Sequence, residues 1–230
     1  MKLSHHKKIV HLFIIPLFMA LNFSFFKAKS TKILFFGDSI TELGVQKDGY
    51  IYLMNKQLSQ SDAAQKYTFE GAGIGGNKIY DLYLRLEEDI LAKKPDVVVI
   101  WVGINDVWHK KTFGTGTDDD KFEKFYKAII KKLQAQGIKV VLTTPAVIGE
   151  YTDYSNDSDG ELNHFANIIR NIAATNNCEL VDMRKVFLAY NLEHNKGNKE
   201  SHILTTDKVH LNADGNKLVA DTFYSFFVSN

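Results

Sequence analysis

Three short segments hold the residue types from which an acyl-transfer site is built: Gly37-Asp38-Ser39, Gly103-Ile104-Asn105-Asp106 and Asp207-Lys208-Val209-His210. A serine hydroxyl is a poor nucleophile until a neighbouring base takes its proton, and that base needs an orienting partner. Ser39, His210 and Asp207 supply those types, and an acid and an imidazole three residues apart fit one tight turn that aims both inward. Acyl transfer also creates a negative oxygen that needs hydrogen-bond donors. The Asn105 amide, directly after an apolar run, and the backbone N–H groups of the glycine-rich stretch Gly71–Gly76 are candidates.

Each block also has an ordinary structural use. Gly-Asp-Ser suits a turn entering a helix, and Asp207 suits a capping arrangement with Asn212 as the cap of the last helix. Asn105 suits a side chain satisfying its own loop. What points to hydrolysis is their company in one chain. His5, His6 and His11 lie in an amino-terminal segment set apart below. His109, His164, His194 and His202 have no acid placed to orient them as neatly.

The elements that must position these residues alternate. Strands are expected at Lys32–Phe36, Tyr67–Glu70, Asp96–Val102, Ile138–Thr143 and Glu179–Val181, with helices at Gly49–Ser59, Lys78–Ala92, Asp119–Gln136, Glu161–Thr175 and Ala213–Val228. Val97-Val98-Val99-Ile100 and Val140-Val141-Leu142 are apolar without alternation, as strands covered on both faces should be. Strands separated by helices imply about five parallel strands with right-handed crossovers, a three-layer α/β/α domain. Ser39 then falls at a strand end, on the carboxyl edge where open α/β sheets place their sites. Gly71–Asn77, Asn105–Thr117, Ala146–Gly160 and Asn191–Thr206 read as irregular loops near that edge.

The first thirty residues read as an address rather than as fold. Lys2, Lys7 and Lys8 precede an apolar stretch from Ile9 to Phe26, and cleavage after Ala28-Lys29-Ser30 would start the mature chain at Thr31. An uncleaved membrane anchor is the alternative, since ~18 apolar residues can just span a bilayer. Residues 31–230 form one domain, expected to be exported, periplasmic or secreted, without stable membrane insertion of its own. Five lysines and no acid lie in the first thirty residues, so a formal charge of +1 for the whole chain leaves −4 on the rest. With no basic stripe, a nucleic-acid partner is not expected. Cys178 is the only cysteine, which excludes an internal disulfide.

The order GDS, glycine block, G-x-N-D and D-x-x-H resembles the SGNH (GDSL-type) hydrolases over about residues 32–228. The resemblance implies a flavodoxin-like fold, Ser39 as nucleophile, His210 as base and Asp207 as its partner. It further implies an oxyanion hole from Ser39, Gly76 and Asn105, and an acyl-serine mechanism needing neither metal nor organic cofactor. Gly73-Ile74-Gly75-Gly76 through Trp101-Val102-Gly103-Ile104-Asn105 is most similar to the platelet-activating-factor acetylhydrolase catalytic-subunit branch and its bacterial relatives, which act on short acyl groups. Asn77-Lys78 departs from the Asp-Thr usual there, and the first block reads GDSI rather than GDSL.

The expected activity is hydrolysis of short-chain carboxylic esters, chiefly acetyl, on a small molecule or glycan. Trp108 and His109 are candidate substrate contacts, and Tyr80, Trp108 and Phe113 are aromatics near the expected cleft. The alternatives are a lysophospholipase or lipase-type acylhydrolase, and a non-catalytic carbohydrate-binding module on the same fold. Gly71-Ala72-Gly73-Ile74-Gly75-Gly76 also fits G-x-G-x-x-G, but it follows the second strand rather than the first, against a dinucleotide site. Ser155–Gly160 imitates part of a calcium loop with Ser155 at the first ligand position and Ala166 at the twelfth, and no spacing supports zinc.

Overall fold

The computed structural model describes residues 29–228; the proposed export segment thus lies outside the described residues, apart from Lys29 and Ser30. Five parallel strands, β1 (Thr31–Gly37), β2 (Tyr67–Gly73), β3 (Val97–Trp101), β4 (Lys139–Thr143) and β5 (Glu179–Val181), form one sheet in the order β2-β1-β3-β4-β5. This is the flavodoxin-like doubly wound order, and its switch point lies where β1 is flanked by β2 and β3. β3 is buried along its whole length, which explains its unbroken apolar sequence. Full burial of each such side chain contributes roughly 1.5–3 kcal/mol.

The helices are α1 (Ser39–Gly44), α2 (Tyr50–Ser59), α3 (Ile79–Asp89), α4 (Ile104–Phe113), α5 (Asp119–Ala135), α6 (Asp159–Thr175), α7 (Met183–His194) and α8 (Ala213–Val228). Adjacent residues of β1 show the layering. Phe35 packs edge-on against Tyr50 of α2 and Phe223 of α8, with centroids 5.4 and 4.9 Å away. Phe36 points to the other face, under the guanidinium of Arg85 from α3 at 4.5 Å. On that face α3 meets α5 through Tyr83 and Phe125, and α5 meets α6 through Phe122 and Phe165. The three-layer α/β/α expectation holds.

Three helices depart from the sequence reading. α1 was expected only as a turn; the Asp38 carboxylate caps it by accepting the Ile40 N–H at 3.0 Å. α4 occupies most of the stretch expected as the irregular loop Asn105–Thr117. α7 fills residues 183–194, beyond the start of the loop expected from Asn191. Among the described residues no helix is long and apolar enough to cross a membrane.

Candidate active site

Ser39 stands two residues past the end of β1, at the first position of α1, where the chain leaves the sheet. Its Oγ lies 2.9 Å from His210 Nε2, across 171 residues of sequence. On the other side of the ring, His210 Nδ1 lies 2.7 Å from Asp207 Oδ2. With the Nδ1 proton on the Asp207 side, Nε2 is the ring's acceptor and faces the hydroxyl.

The turn that carries both groups is held locally. Asp207 Oδ1 accepts the backbone N–H groups of Val209 at 3.2 Å and His210 at 2.8 Å, and Thr206 N–H donates to the His210 carbonyl at 2.8 Å. Lys208 between them adopts φ 84°, a left-handed conformation uncommon outside glycine. Partial burial pushes the Asp207 carboxyl up, but hydrogen bonds from the His210 ring and from two backbone N–H groups outweigh it, and the net shift is downward. Asp207 is therefore held as a carboxylate. Asn212 caps α8 as expected, its Oδ1 accepting the Gly215 N–H at 2.9 Å.

Beside Ser39 runs the glycine block. A Cβ at Gly73 would overlap the backbone nitrogen of Glu42, so this glycine exists to let β2 close on α1. Gly71 is likewise hemmed in, by Val45 and Ile51, whereas Gly76 meets nothing nearer than the His109 ring. Gly76 adopts φ +75°. The N–H groups of Ser39 and Gly76 donate to no acceptor among the described residues, so both remain open to a ligand oxygen.

Asn105, 3% exposed, is the second residue of α4, after Gly103 at φ 130°. One hydrogen of its amide goes to the Asn77 carbonyl at 3.1 Å, which leaves the second free. The tie to the loop thus leaves one amide hydrogen available for a donor role. Asn77 also accepts from Arg85 Nε at 2.7 Å, while the nearly buried Lys78 reaches the Gly76 carbonyl at 3.4 Å.

His109 packs near Gly76, its Cε1 3.8 Å from where a Cβ would stand. Partial burial and the Lys78 ammonium hold its imidazole below the ordinary histidine value. Trp108 precedes it, half-buried. Phe113, 69% exposed, meets the His109 ring edge-on at 5.0 Å. Tyr80 instead packs towards Phe125 of α5, at 6.4 Å. One expectation is corrected: His164 does have an acid, Asp119 Oδ2 at 3.1 Å from Nε2, since α5 and α6 lie side by side. Both are exposed, and among the described residues no hydroxyl bonds to that ring.

Two charged groups that brace the site's surroundings, Arg85 partly buried and Glu150 fully so, escaped the sequence reading. Arg85 binds the Gly37 and Ala72 carbonyls at 2.7 and 3.0 Å as well as Asn77. Glu150, fully buried, accepts the Ile203 and Leu204 N–H groups at 3.0 and 2.7 Å, anchoring the segment that leads to Asp207. A charged residue on an amphipathic helix or in a loop carries no sequence signal that it will be buried.

The model of the GDSL-like Lipase/Acylhydrolase family matches residues 35–218. An acetyl xylan esterase of known structure, AlAXEase, is 60% identical, with a TM-score of 0.84, covering 86% of this chain and 100% of that one. The acetylxylan esterase of Geobacillus stearothermophilus is 27% identical over 212 residues, 84% of this chain and 91% of the relative; its structure gives a TM-score of 0.74. Catalytic mutants of that enzyme carry alanine in place of a serine and, separately, of a histidine. An alpha/beta hydrolase enzyme from the metagenome of Lake Arreo, Spain, is 25% identical with a TM-score of 0.74, covering 85% of this chain and 94% of its own. The chain belongs to the GDSL-like lipase/acylhydrolase family and is a carboxylic ester hydrolase.

Proposed function

We propose that the protein is an exported acetyl esterase that deacetylates xylan or xylo-oligosaccharides through an acetyl-Ser39 intermediate. The observation that carries the catalytic assignment is the continuous chain from Ser39 Oγ through His210 to Asp207, at 2.9 and 2.7 Å. The acetylated-xylan substrate is supported by the relatives named above.

In this reading, His210 Nε2 takes the proton from Ser39 Oγ as that oxygen attacks the acetyl carbonyl. The Asp207 carboxylate holds Nδ1–H and balances the imidazolium that forms. The carbonyl oxygen, now negative, lies against the N–H groups of Ser39 and Gly76 and the free amide hydrogen of Asn105. The imidazolium then protonates the sugar oxygen as the ester bond breaks, leaving the acyl enzyme. A water molecule gives its proton to the same imidazole and attacks the acyl carbonyl. Release of acetate returns the proton to Ser39.

Purified full-length protein should release acetate from acetylated xylan and hydrolyse p-nitrophenyl acetate, with rates falling along a series from acetate to octanoate. An inert protein would remove the esterase assignment, and a preference for octanoate would favour a lipase-type acylhydrolase. Export of the domain from residue 31 rests on the composition of the first thirty residues. Amino-terminal sequencing of the protein recovered outside the cytoplasm should read from Thr31. A retained leader in the membrane fraction would make the segment an anchor.

A further inference from the structure

A cavity of about 350 Å³ reaches the Asp207–His210 turn at Lys208, and Trp108 on its wall is the neighbour of His109. Trp108 and Lys111 of α4 form one wall, Tyr151 and Asp157 of the segment after β4 form the other, and Glu200 and Lys208 close the side shared with the Asp207–His210 turn. We propose that this cavity is the subsite for the sugar units flanking the acetylated one, an inference that rests on the esterase reading above.

Three features select a neutral sugar chain. The lining combines two aromatic side chains with hydroxyl, amide and charged groups. That mixture suits a ligand with apolar C–H faces and hydrogen-bonding edges. The charges cancel in pairs: Lys111 binds Asp157 at 2.8 Å, and Lys208 binds Glu200. An anionic ligand would have to break one of these pairs, whereas hydroxyl groups can bond to their outer atoms. A long acyl chain would require an apolar wall, but among the lining residues only Trp108, Ile148 and Tyr151 offer substantial apolar surface.

The far wall is also built in advance. Arg184, 1% exposed, clamps both ends of the segment after β4, donating to the Ala146 carbonyl at 2.9 Å and to Asp159 at 2.6 Å. Within it, Asn156 accepts the Tyr151 N–H at 3.2 Å and donates to the Tyr151 carbonyl at 2.8 Å. Glu150 N–H donates to the Glu200 carbonyl at 2.9 Å, joining this wall to the base of the cavity. Binding there therefore costs little ordering of the loop.

The test compares acetylated xylotetraose with p-nitrophenyl acetate, too small to fill both sites. Trp108→Ala and Tyr151→Ala should each lower the ratio of kcat/KM for the oligosaccharide to that for p-nitrophenyl acetate about tenfold, mainly through KM. Trp108→Phe, which keeps an aromatic face, should recover most of it. Calorimetric titration of Ser39→Ala protein with unacetylated xylotetraose should show binding that Tyr151→Ala weakens about tenfold. A ratio unchanged in both alanine variants overturns the subsite. So does failure of xylotetraose to bind a protein whose wild type hydrolyses p-nitrophenyl acetate, or its displacement by lysophosphatidylcholine. Inertness toward p-nitrophenyl acetate instead sinks the esterase reading, and the titration still reports on the cavity by itself.

Discussion

Arg85 Nη2 donates to the carbonyl of Gly37 at 2.7 Å, two residues ahead of Ser39. The same nitrogen reaches the Ala72 carbonyl at the end of β2, and Nε binds Asn77, whose own carbonyl receives the Asn105 amide. One planar guanidinium thus fixes the relative positions of the strand ends beside Ser39, Gly76 and Asn105. Lysine cannot reproduce that fork. Arg85→Lys should lower kcat on p-nitrophenyl acetate about tenfold, with a smaller change in KM, as expected when transition-state contacts are misplaced. Unaltered kinetics would show that the strand ends hold their places without it.

Ser39→Ala and His210→Ala should each abolish turnover to within the background, a loss of at least ~10³-fold, with melting temperature near that of wild type. Asp207→Asn should cost as much as ~10⁴-fold, because an amide can impose the wrong tautomer on the ring. Steady-state hydrolysis of p-nitrophenyl acetate measures all three. Retained activity in His210→Ala would exclude it as the base.

Asn105→Ala should reduce kcat by about 10²- to 10³-fold, the usual consequence of deleting one oxyanion donor. Asn105→Asp keeps the shape but replaces the donor with an acceptor, and should do no better. If Asn105→Asp retained wild-type kcat, turnover would need neither the amide's tie to the Asn77 carbonyl nor a donor to the oxyanion.

Glu150→Ala would leave the partly buried N–H of Ile203 and the buried N–H of Leu204 without a partner. Each such loss costs roughly 1–3 kcal/mol, so unfolding in urea should show a destabilisation of about 2–5 kcal/mol in all. Glu150→Gln retains one acceptor oxygen and should lose about half as much. Equal stability of Glu150→Ala and wild type would contradict the anchoring role.

Asp106 is fully buried, and burial pushes its carboxyl up to about 7, well above the ordinary carboxylate range. Its Oδ1 accepts the Ile79 N–H at 3.2 Å, while Oδ2 has no partner among the described residues. Between pH 4 and 7 the folded state therefore holds a proton that the unfolded chain has released. Stability from this group is complete below about pH 4 and is lost as pH rises through about 7. Asp106→Asn keeps an acceptor for Ile79 and removes the titration. The melting temperature of the variant relative to wild type should climb by several degrees from pH 4 to pH 8. A constant difference over that range would refute the assignment.

The strands were legible because burial on both faces demands unbroken apolar runs: Ile33–Phe36 and Val97–Ile100 announced β1 and β3 to within a residue or two. α5 was legible through its periodic apolar positions and acidic start. α7 had a readable signal, with Met183, Val186, Phe187 and Tyr190 on one face behind the Asp182 cap. α4 was obscured by its short polar half, His109 to Thr112, although Gly103 and Gly114 bracket it. α1, six residues long, is too short to show a period at all.

By itself the chain's order of residues supplied the candidate groups for the chemistry, because a nucleophile, a base and an acid are properties of side chains and their local turns. It also determined the sheet, because a strand's hydrophobicity is set by how many of its faces are covered. Only the tertiary structure decided that Ser39 and His210 meet, and that buried Glu150 and Arg184 and partly buried Arg85 are braces rather than solvated charges. A charged side chain has the same sequence signature in water as in the interior. Its role depends on which carbonyls and N–H groups the packing leaves unpaired around it.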